Sequence, residues 1–365
     1  MKKVLVVEPN PFHGEVVPGV VYYFRNLEYD VTVIMQKKNI KEDAFCKDKQ
    51  QCHFEGLKIE ELSQRLKRED IKQFDFVFFT SLEVKIGNKS KNVIEYLNFE
   101  PQSKYGILGI VHDVSVVEKD IYYKYIEQNR IFGLTKKQCE EYGLLMLNPN
   151  YFGGRTINNS VNKICKFTII GSAFDEKRIE EAVDFLIQKN ISGFMINWVS
   201  GQYSKGYVVI NKIVKLIIYF TLGLFNKKMH RKFEIIKHIR WFSRLNFKEI
   251  YNLVESTDYC ICMVENENTE YSKYYNKLTS GQKQLTLGFC KVTLWEEKLA
   301  NIYGFSENNS IIIRDENIGE SMLEAMTLSC EGKKNKQESL CNLQSEIEKE
   351  SLCNLKTVIN EICNK

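Results

Sequence analysis

Apolar residues are spaced along this chain in two rhythms. Short continuous runs, Lys3–Val7, Val31–Met35, Phe76–Phe79, Ile107–Val111, Ile131–Leu134 and Leu144–Leu147, read as buried strands. Pro18–Leu27 and Glu60–Ile71 have helical spacing, the proline falling in a first turn that tolerates it. Continuous apolar strands separated by amphipathic helices predict a parallel sheet covered on both faces. The charged stretch Lys37–Gln51 reads as a loop, and the polar, glycine-bearing stretch Asn148–Ser160 as an interdomain linker. The rhythm then restarts, with strands at Phe167–Ile170, Phe194–Val199, Asp258–Val264 and Ile311–Ile313 and helices at Lys177–Gln188, Phe247–Glu255 and Ile318–Leu328. Two α/β domains are predicted, residues 1–150 and 160–328. A charged helical tail, 330–365, follows, in which ESLCNL occurs at Glu338–Leu343 and again at Glu350–Leu355.

Composition agrees with that division. A chain of 365 residues, 44% hydrophobic and 12% aromatic, buries a sizeable core and is long for one domain. Its 11 cysteines show no CxxC pair or metal-ligand spacing, and Cys260 and Cys262 alternate with apolar residues as strand positions do, so reduced core thiols are expected. Met1-Lys2-Lys3 leads straight into a strand with no signal-peptide pattern, which predicts a cytoplasmic protein.

Charge is uneven. Residues 202–244 hold ten Lys or Arg against a single acid, Glu234, a local +9 in a chain whose total is +4. That points to an anionic surface, membrane or polyphosphate, and not to nucleic acid. Within it, Gly206–Phe225 has the length of a membrane span but contains Asn211, Lys212 and Lys215. Two central lysines would cost roughly 2.5–3.5 kcal/mol each in a spanning helix. Two readings stay open: an in-plane amphipathic segment that, with the basic residues to 232, touches an anionic membrane, and a core helix with a basic flank.

Three places carry candidate chemistry. Ser280 and Gly281 precede the apolar positions Leu285, Leu287 and Phe289, where a helix N-terminus exposes unpaired N–H groups that attract phosphate. The first strand runs into Glu8-Pro9-Asn10-Pro11-Phe12-His13-Gly14-Glu15, and a later strand ends in Val111-His112-Asp113. Both therefore place a histidine with a carboxylate neighbour on one sheet edge. Gly171 and Ser172 form another strand-to-helix turn, with Arg178 one turn into the helix and within reach of a diphosphate.

In order and spacing, these pieces resemble the GT-B glycosyltransferases, particularly bacterial enzymes of capsular or O-antigen polysaccharide synthesis. The resembling segments are Phe12–Gly19, Ile110–Asp113, Phe167–Ser172, Leu245–Cys262 and Tyr275–Phe305. The resemblance implies two Rossmann-like domains facing across a cleft, an acceptor domain first and a nucleotide-sugar domain second. Gly171, Ser172, Tyr275, Ser280, Gly281 and Gln282 would face the donor, and Ser243 to Asn246 the nucleotide's base. Arg178 and Lys277 would help neutralise the leaving group. His13 would be the general base and Asp113 its orienter, with Glu15 as the other candidate base, and Gly14 and His112 would line the acceptor side. The two glutamates seven residues apart that mark many retaining members are missing around Glu265–Gly288, and no Asp-x-Asp follows an apolar strand. Inversion without a metal or other cofactor is therefore expected, with a nucleotide-sugar as co-substrate and a saccharide or lipid-linked saccharide as acceptor. The alternatives are an inactive binding partner of another transferase and a sugar-nucleotide epimerase of the same architecture.

Overall fold

Strand β1, Lys3–Glu8, is apolar on both faces, and Val4, Leu5, Val6 and Val7 are fully buried. A strand in the middle of a helix-covered parallel sheet requires this. The structure is a computed structural model. It describes residues 2–11, 13–42, 52–86, 89–118, 120–151, 164–171, 176–200, 205–243, 245–264, 271–315 and 317–364. The chain forms two compact units. The first is Met1–Arg155 with Tyr274–Gly288 and Leu343–Lys365, and the second is Thr156–Lys273 with Phe289–Asn342.

In the first unit β2 (Asp30–Gln36) and β3 (His53–Leu57) extend the sheet from one side of β1. From the other side it continues through β4 (Phe76–Phe79), past the hairpin β5 (Glu83–Ile86) and β6 (Lys89–Asn92), to β7 (Ile107–Ile110), β8 (Ile131–Gly133) and β9 (Leu145–Met146). The spatial order is β3-β2-β1-β4-β7-β8-β9, and each pair in the seven-stranded sheet is parallel. In the second unit β10 (Cys165–Ile170), β11 (Phe194–Ser200), β12 (Ile239–Ser243), β13 (Tyr259–Cys262), β14 (Thr293–Glu296) and β15 (Ile311–Ile313) lie in the order β12-β11-β10-β13-β14-β15, again parallel. In both sheets the chain starts centrally, builds to one edge, then returns to build the other half. The reversals fall between β1 and β4 and between β10 and β13, where ligands of such sheets bind at the carboxyl ends of the strands.

Each unit has its own core. Phe24, on the helix Val17–Asn26, meets Phe78 edge-on at 5.2 Å, and in the second sheet Phe167 stacks with Tyr259 at 5.7 Å. The helix Phe247–Ser256 starts at a reciprocal cap, in which the Asn246 side chain accepts from the Glu249 N–H and the Glu249 side chain accepts from the Asn246 N–H, both at 2.8 Å.

Tyr274–Gly288 is held in the first unit by particular bonds. Asp113 bridges Leu278 antiparallel, Gln138 Nε2 donates to the Lys277 carbonyl at 3.2 Å, and Lys283 Nζ donates to the Leu134 carbonyl at 2.7 Å. The final helix, Cys330–Cys363, gives its residues up to Asn342 to the second unit and those from Leu343 to the first. On it Leu340, Ser351, Leu355 and Val358 are fully buried, and Ser351 Oγ accepts from the Asn148 N–H at 3.0 Å. Among the described residues no helix is long and apolar enough to cross a membrane.

Gly19 marks a close approach beside the site described next. A Cβ added there would lie 2.6–2.8 Å from Cβ, C and Cα of Pro149. Gly19→Ala gains helix propensity but forces this contact apart, so a net loss of about 1–3 kcal/mol is expected. The urea midpoint measures it, and an unchanged or higher midpoint would show that the two segments do not pack this closely.

Candidate functional site

The carboxyl ends of β1, β4 and β7, three adjacent strands, bring together Glu8, the Thr80–Glu83 segment and His112. Glu8 closes β1 and is 1% exposed. Its carboxylate accepts from the Asn10 N–H at 2.7 Å, Thr80 Oγ1 at 2.5 Å and Ser81 Oγ at 2.9 Å. Asn10 in turn donates through Nδ2 to the Glu83 carbonyl at 2.7 Å and accepts from the Lys85 N–H at 2.9 Å, which pins the loop after β1 to the β5 hairpin. That loop delivers His13, just before the 3-10 turn Gly14–Val16 in which Gly14 is buried.

His13 stacks on His112, ring centroids 4.2 Å apart and planes 27° from parallel, and its Nδ1 lies 3.6 Å from Glu15 Oε1. The His13 side chain is 31% exposed and that of Glu15 16%. Partial burial disfavours charge on His13, but Glu15, then Glu8 and Glu83, outweigh it and hold the ring's pKa up at about 9. His112 has the opposite fate, since burial and then the neighbouring His13 charge drive its pKa well below the usual histidine value. Neutral His112 has Nε2 2.8 Å from the Thr80 carbonyl, an acceptor, so Nε2 carries the hydrogen and Nδ1 the lone pair. Burial pushes Glu83 up to about 8, against the pull of His13, and raises Glu8 as well. At neutral pH the stacked pair is thus one imidazolium and one neutral imidazole.

His13, Glu83 and His112 each offer one ligand atom, all within 4.8 Å of one another, a spacing that suits a divalent cation. With its Nε2 hydrogen given to the Thr80 carbonyl, His112 would present Nδ1 to such an ion, and His13 would have to give up its proton to join it.

Among the residues singled out on the segment Tyr274–Gly288, Gly281 comes up to this cluster, at Glu15. The helix Gly281–Gly288 starts at Ser280, whose Oγ accepts from the Gln282 N–H at 3.3 Å. Among the described residues, a Cβ added at Gly281 would meet only Glu15 Oε1, 3.6 Å away. Gln282 is buried, and Tyr275 is buried with its carbonyl accepting from Lys137 Nζ at 3.0 Å. Lys277 forms an ion pair with Glu118 at 2.9 Å. Asp113 has a different task from the orienting one the resemblance implies. Its Oδ1 accepts from the Ser115 N–H at 3.0 Å and Ser115 Oγ at 2.5 Å, capping the turn Val114–Val116, and the carboxylate beside His13 is that of Glu15.

Gly171, Arg178 and Ser243 belong to the second unit. Gly171 follows β10 at φ +124°, a conformation that favours glycine, and its N–H donates to the Val199 carbonyl at 3.0 Å. Arg178 is half-buried near the start of the helix Glu176–Gln188, and Ser243 is buried at the end of β12. Ser172 lies outside the described residues, as do Glu265 and Glu270. Glu83 was missed by sequence reading. The one signal that could have found it is its place just past the end of the Phe76–Phe79 strand, on the edge that already held His13 and His112.

Solved structures share this paired-sheet architecture over nearly the whole chain. A glycosyltransferase from Rickettsia africae aligns with a TM-score of 0.61 at 12% identity, covering 99% of each chain. HepE from Anabaena, solved in complex with UDP-glucose, aligns with a TM-score of 0.55 at 7% identity, covering 98% of this chain and 99% of that one. The sucrose-phosphate synthase of Thermosynechococcus elongatus gives 0.52 at 11% identity, covering 100% and 98%. The chain has the GT-B fold. No protein-family model matches it, and no curated protein matches its sequence. In GT-B terms the His13 cluster sits at the topological switch point of the first Rossmann-like unit, and Gly171 at that of the second.

Proposed function

We propose that this protein is a glycosyltransferase that moves a sugar from a nucleotide-sugar to a saccharide or lipid-linked saccharide acceptor in cell-surface polysaccharide synthesis, by inversion and without a metal. One observation carries this reading. Beside His13, at the switch point, Glu15 Oε2 is buried with no hydrogen-bond partner among the described residues. A buried carboxylate oxygen without a donor is unfavourable by about 1–3 kcal/mol. An acceptor hydroxyl satisfies it.

The chemistry follows from that placement. A sugar hydroxyl is a weak nucleophile until a base takes its proton, and His13 and Glu15 are the two groups in position to do so. The departing nucleoside diphosphate needs its charge stabilised close by. The Ser280–Gly281 helix start, 3.6 Å from Glu15 as measured from an added Cβ at Gly281, brings the positive end of a helix dipole there for that purpose. The imidazolium form of His13 offsets the repulsion between Glu15 and a phosphate. Gly171 and Arg178 are the further donor-side candidates. Support for a nucleotide-sugar donor comes from the fold shared with HepE, which was solved with UDP-glucose.

The test is thermal. UDP and other nucleoside diphosphates at saturating concentration are expected to raise the melting temperature, by about 2.7 kcal/mol of stabilisation at 100 times Kd. A UDP-sugar with acceptor is expected to release free UDP. No shift with any nucleoside diphosphate would remove the donor-site assignment. A shift with no turnover would favour the inactive binding partner, and conversion of the sugar without nucleotide release would favour the epimerase.

A further inference from the structure

The helix Lys205–Gly223 is amphipathic with its faces reversed relative to a soluble surface helix. Lys212 and Lys215 point inward. Lys212 Nζ donates to the Ile239 carbonyl at 3.0 Å, Lys215 pairs with Glu176 at 2.6 Å, and both ammonium groups lie within 6 Å of the Trp241 ring, at 5.8 and 5.5 Å. Tyr219 lies under Lys232 on the following helix, Lys227–Lys237, at 5.5 Å. Gly223 faces His230 of that helix so closely that an added Cβ would lie 2.9 Å from its Cα. The orientation of the helix is therefore fixed by contacts on its polar side.

The apolar side is left in water. Of the eleven large hydrophobic side chains exposed among the described residues, eight lie between Ile213 and Phe225. Ile213, Ile217 and Phe220 follow one line along the helix, and at the turn after it Leu224 is exposed and Phe225 is 90% exposed. Soluble monomers rarely leave so contiguous an apolar surface uncovered. Immediately beyond it Lys227 and Lys228 are exposed, and Glu234, the acid of the following helix, is already paired with Lys237 at 3.0 Å. An apolar stripe bordered by exposed lysines matches the boundary between acyl chains and anionic headgroups.

We infer that the hairpin of these two helices docks the protein on an anionic lipid bilayer, with Ile217, Phe220 and Phe225 entering the acyl boundary and Lys227 and Lys228 at the headgroups. Under the glycosyl-transfer reading, on which this last step rests, a bilayer-bound transferase takes a lipid-linked acceptor. The docking itself does not depend on turnover.

Flotation of the full-length protein with vesicles separates the possibilities. Wild type is expected to float with an equimolar mixture of phosphatidylglycerol and phosphatidylcholine, and much less with phosphatidylcholine alone. The double variant Ile217→Glu/Phe225→Glu and the double variant Lys227→Glu/Lys228→Glu are each expected to lose roughly tenfold or more in partitioning. Both change exposed residues, so their melting temperatures and nucleotide-induced shifts should match wild type, which keeps this test independent of the donor site. Wild type that fails to float overturns the proposal, as does flotation equal in all three proteins. Self-association in light scattering that Ile217→Glu/Phe225→Glu abolishes, without flotation, would assign the stripe to a second copy of the chain instead.

Discussion

His13→Ala protein is expected to transfer sugar about 10²–10⁴-fold more slowly than wild type while keeping its nucleotide-induced melting shift. Its pH dependence says which group is the base. Glu15, Glu8 and Glu83 hold the His13 pKa at about 9, so at neutral pH the ring carries a proton and cannot accept another. If His13 is the base, kcat/KM climbs with pH and levels near pH 9. Glu15→Gln removes the largest of the three raising influences, so the rising limb should move to lower pH with activity retained. A profile flat through that range, together with loss of activity in Glu15→Gln at every pH, assigns the base to Glu15. Wild-type rates in the His13→Ala protein would take that residue out of the mechanism.

Lys283→Met is expected to stabilise the protein at pH 7 by about 2–4 kcal/mol. Lys283 is 1% exposed, and burial pushes its pKa down to about 7. From about pH 7 up to its unfolded value near 10.5, the folded chain binds fewer protons at this site than the unfolded chain, so wild-type stability rises with pH across that window. The burden is fully present below about pH 7. At about 1.36 kcal/mol per pKa unit its ceiling is about 5 kcal/mol, less the hydrogen bond that Lys283 gives the Leu134 carbonyl. That carbonyl keeps a second donor, Asn148 Nδ2, at 3.0 Å. Urea unfolding of both proteins at pH 7 and near pH 10 measures the effect, and the gain should shrink at the higher pH. An equal difference at both values, or a less stable variant at pH 7, would mean that the buried amine carries no such burden.

The sequence was legible where one physical signal dominated. Fully buried strands announce themselves by continuous apolar runs, and β1, β2, β4, β7 and β10 fall within a residue or two of the runs that predict them. Three kinds of strand escaped. His53–Leu57 is an edge strand of mixed polarity, Ile239–Ser243 is an edge strand with charged and aromatic positions, and Glu83–Asn92 is a small hairpin outside the main sheets. Of the site, His13, Glu15 and His112 were visible because they follow apolar runs. Glu83 was not, because a lone glutamate in a hairpin carries no pattern, and its burial depends on β1 and β7 lying on either side of β4. Nor could local sequence foretell that Asp113 would cap its own turn, or that Lys212 and Lys215 would turn toward Trp241 and leave the aliphatic side chains outside. Helical spacing separates two faces without saying which one the protein covers.

The last helix has a consequence for biosynthesis. Glu348 accepts from the Tyr22 hydroxyl at 2.8 Å, and Asn354 donates to the Met146 carbonyl at 2.9 Å, across 326 and 208 residues of chain. Growth on the ribosome is vectorial, so the strands of the first sheet emerge well before the helix that carries these partners. Loss of Leu343–Lys365 would thus wound a unit whose strands were made long before, leaving a chain for chaperones and proteases to triage.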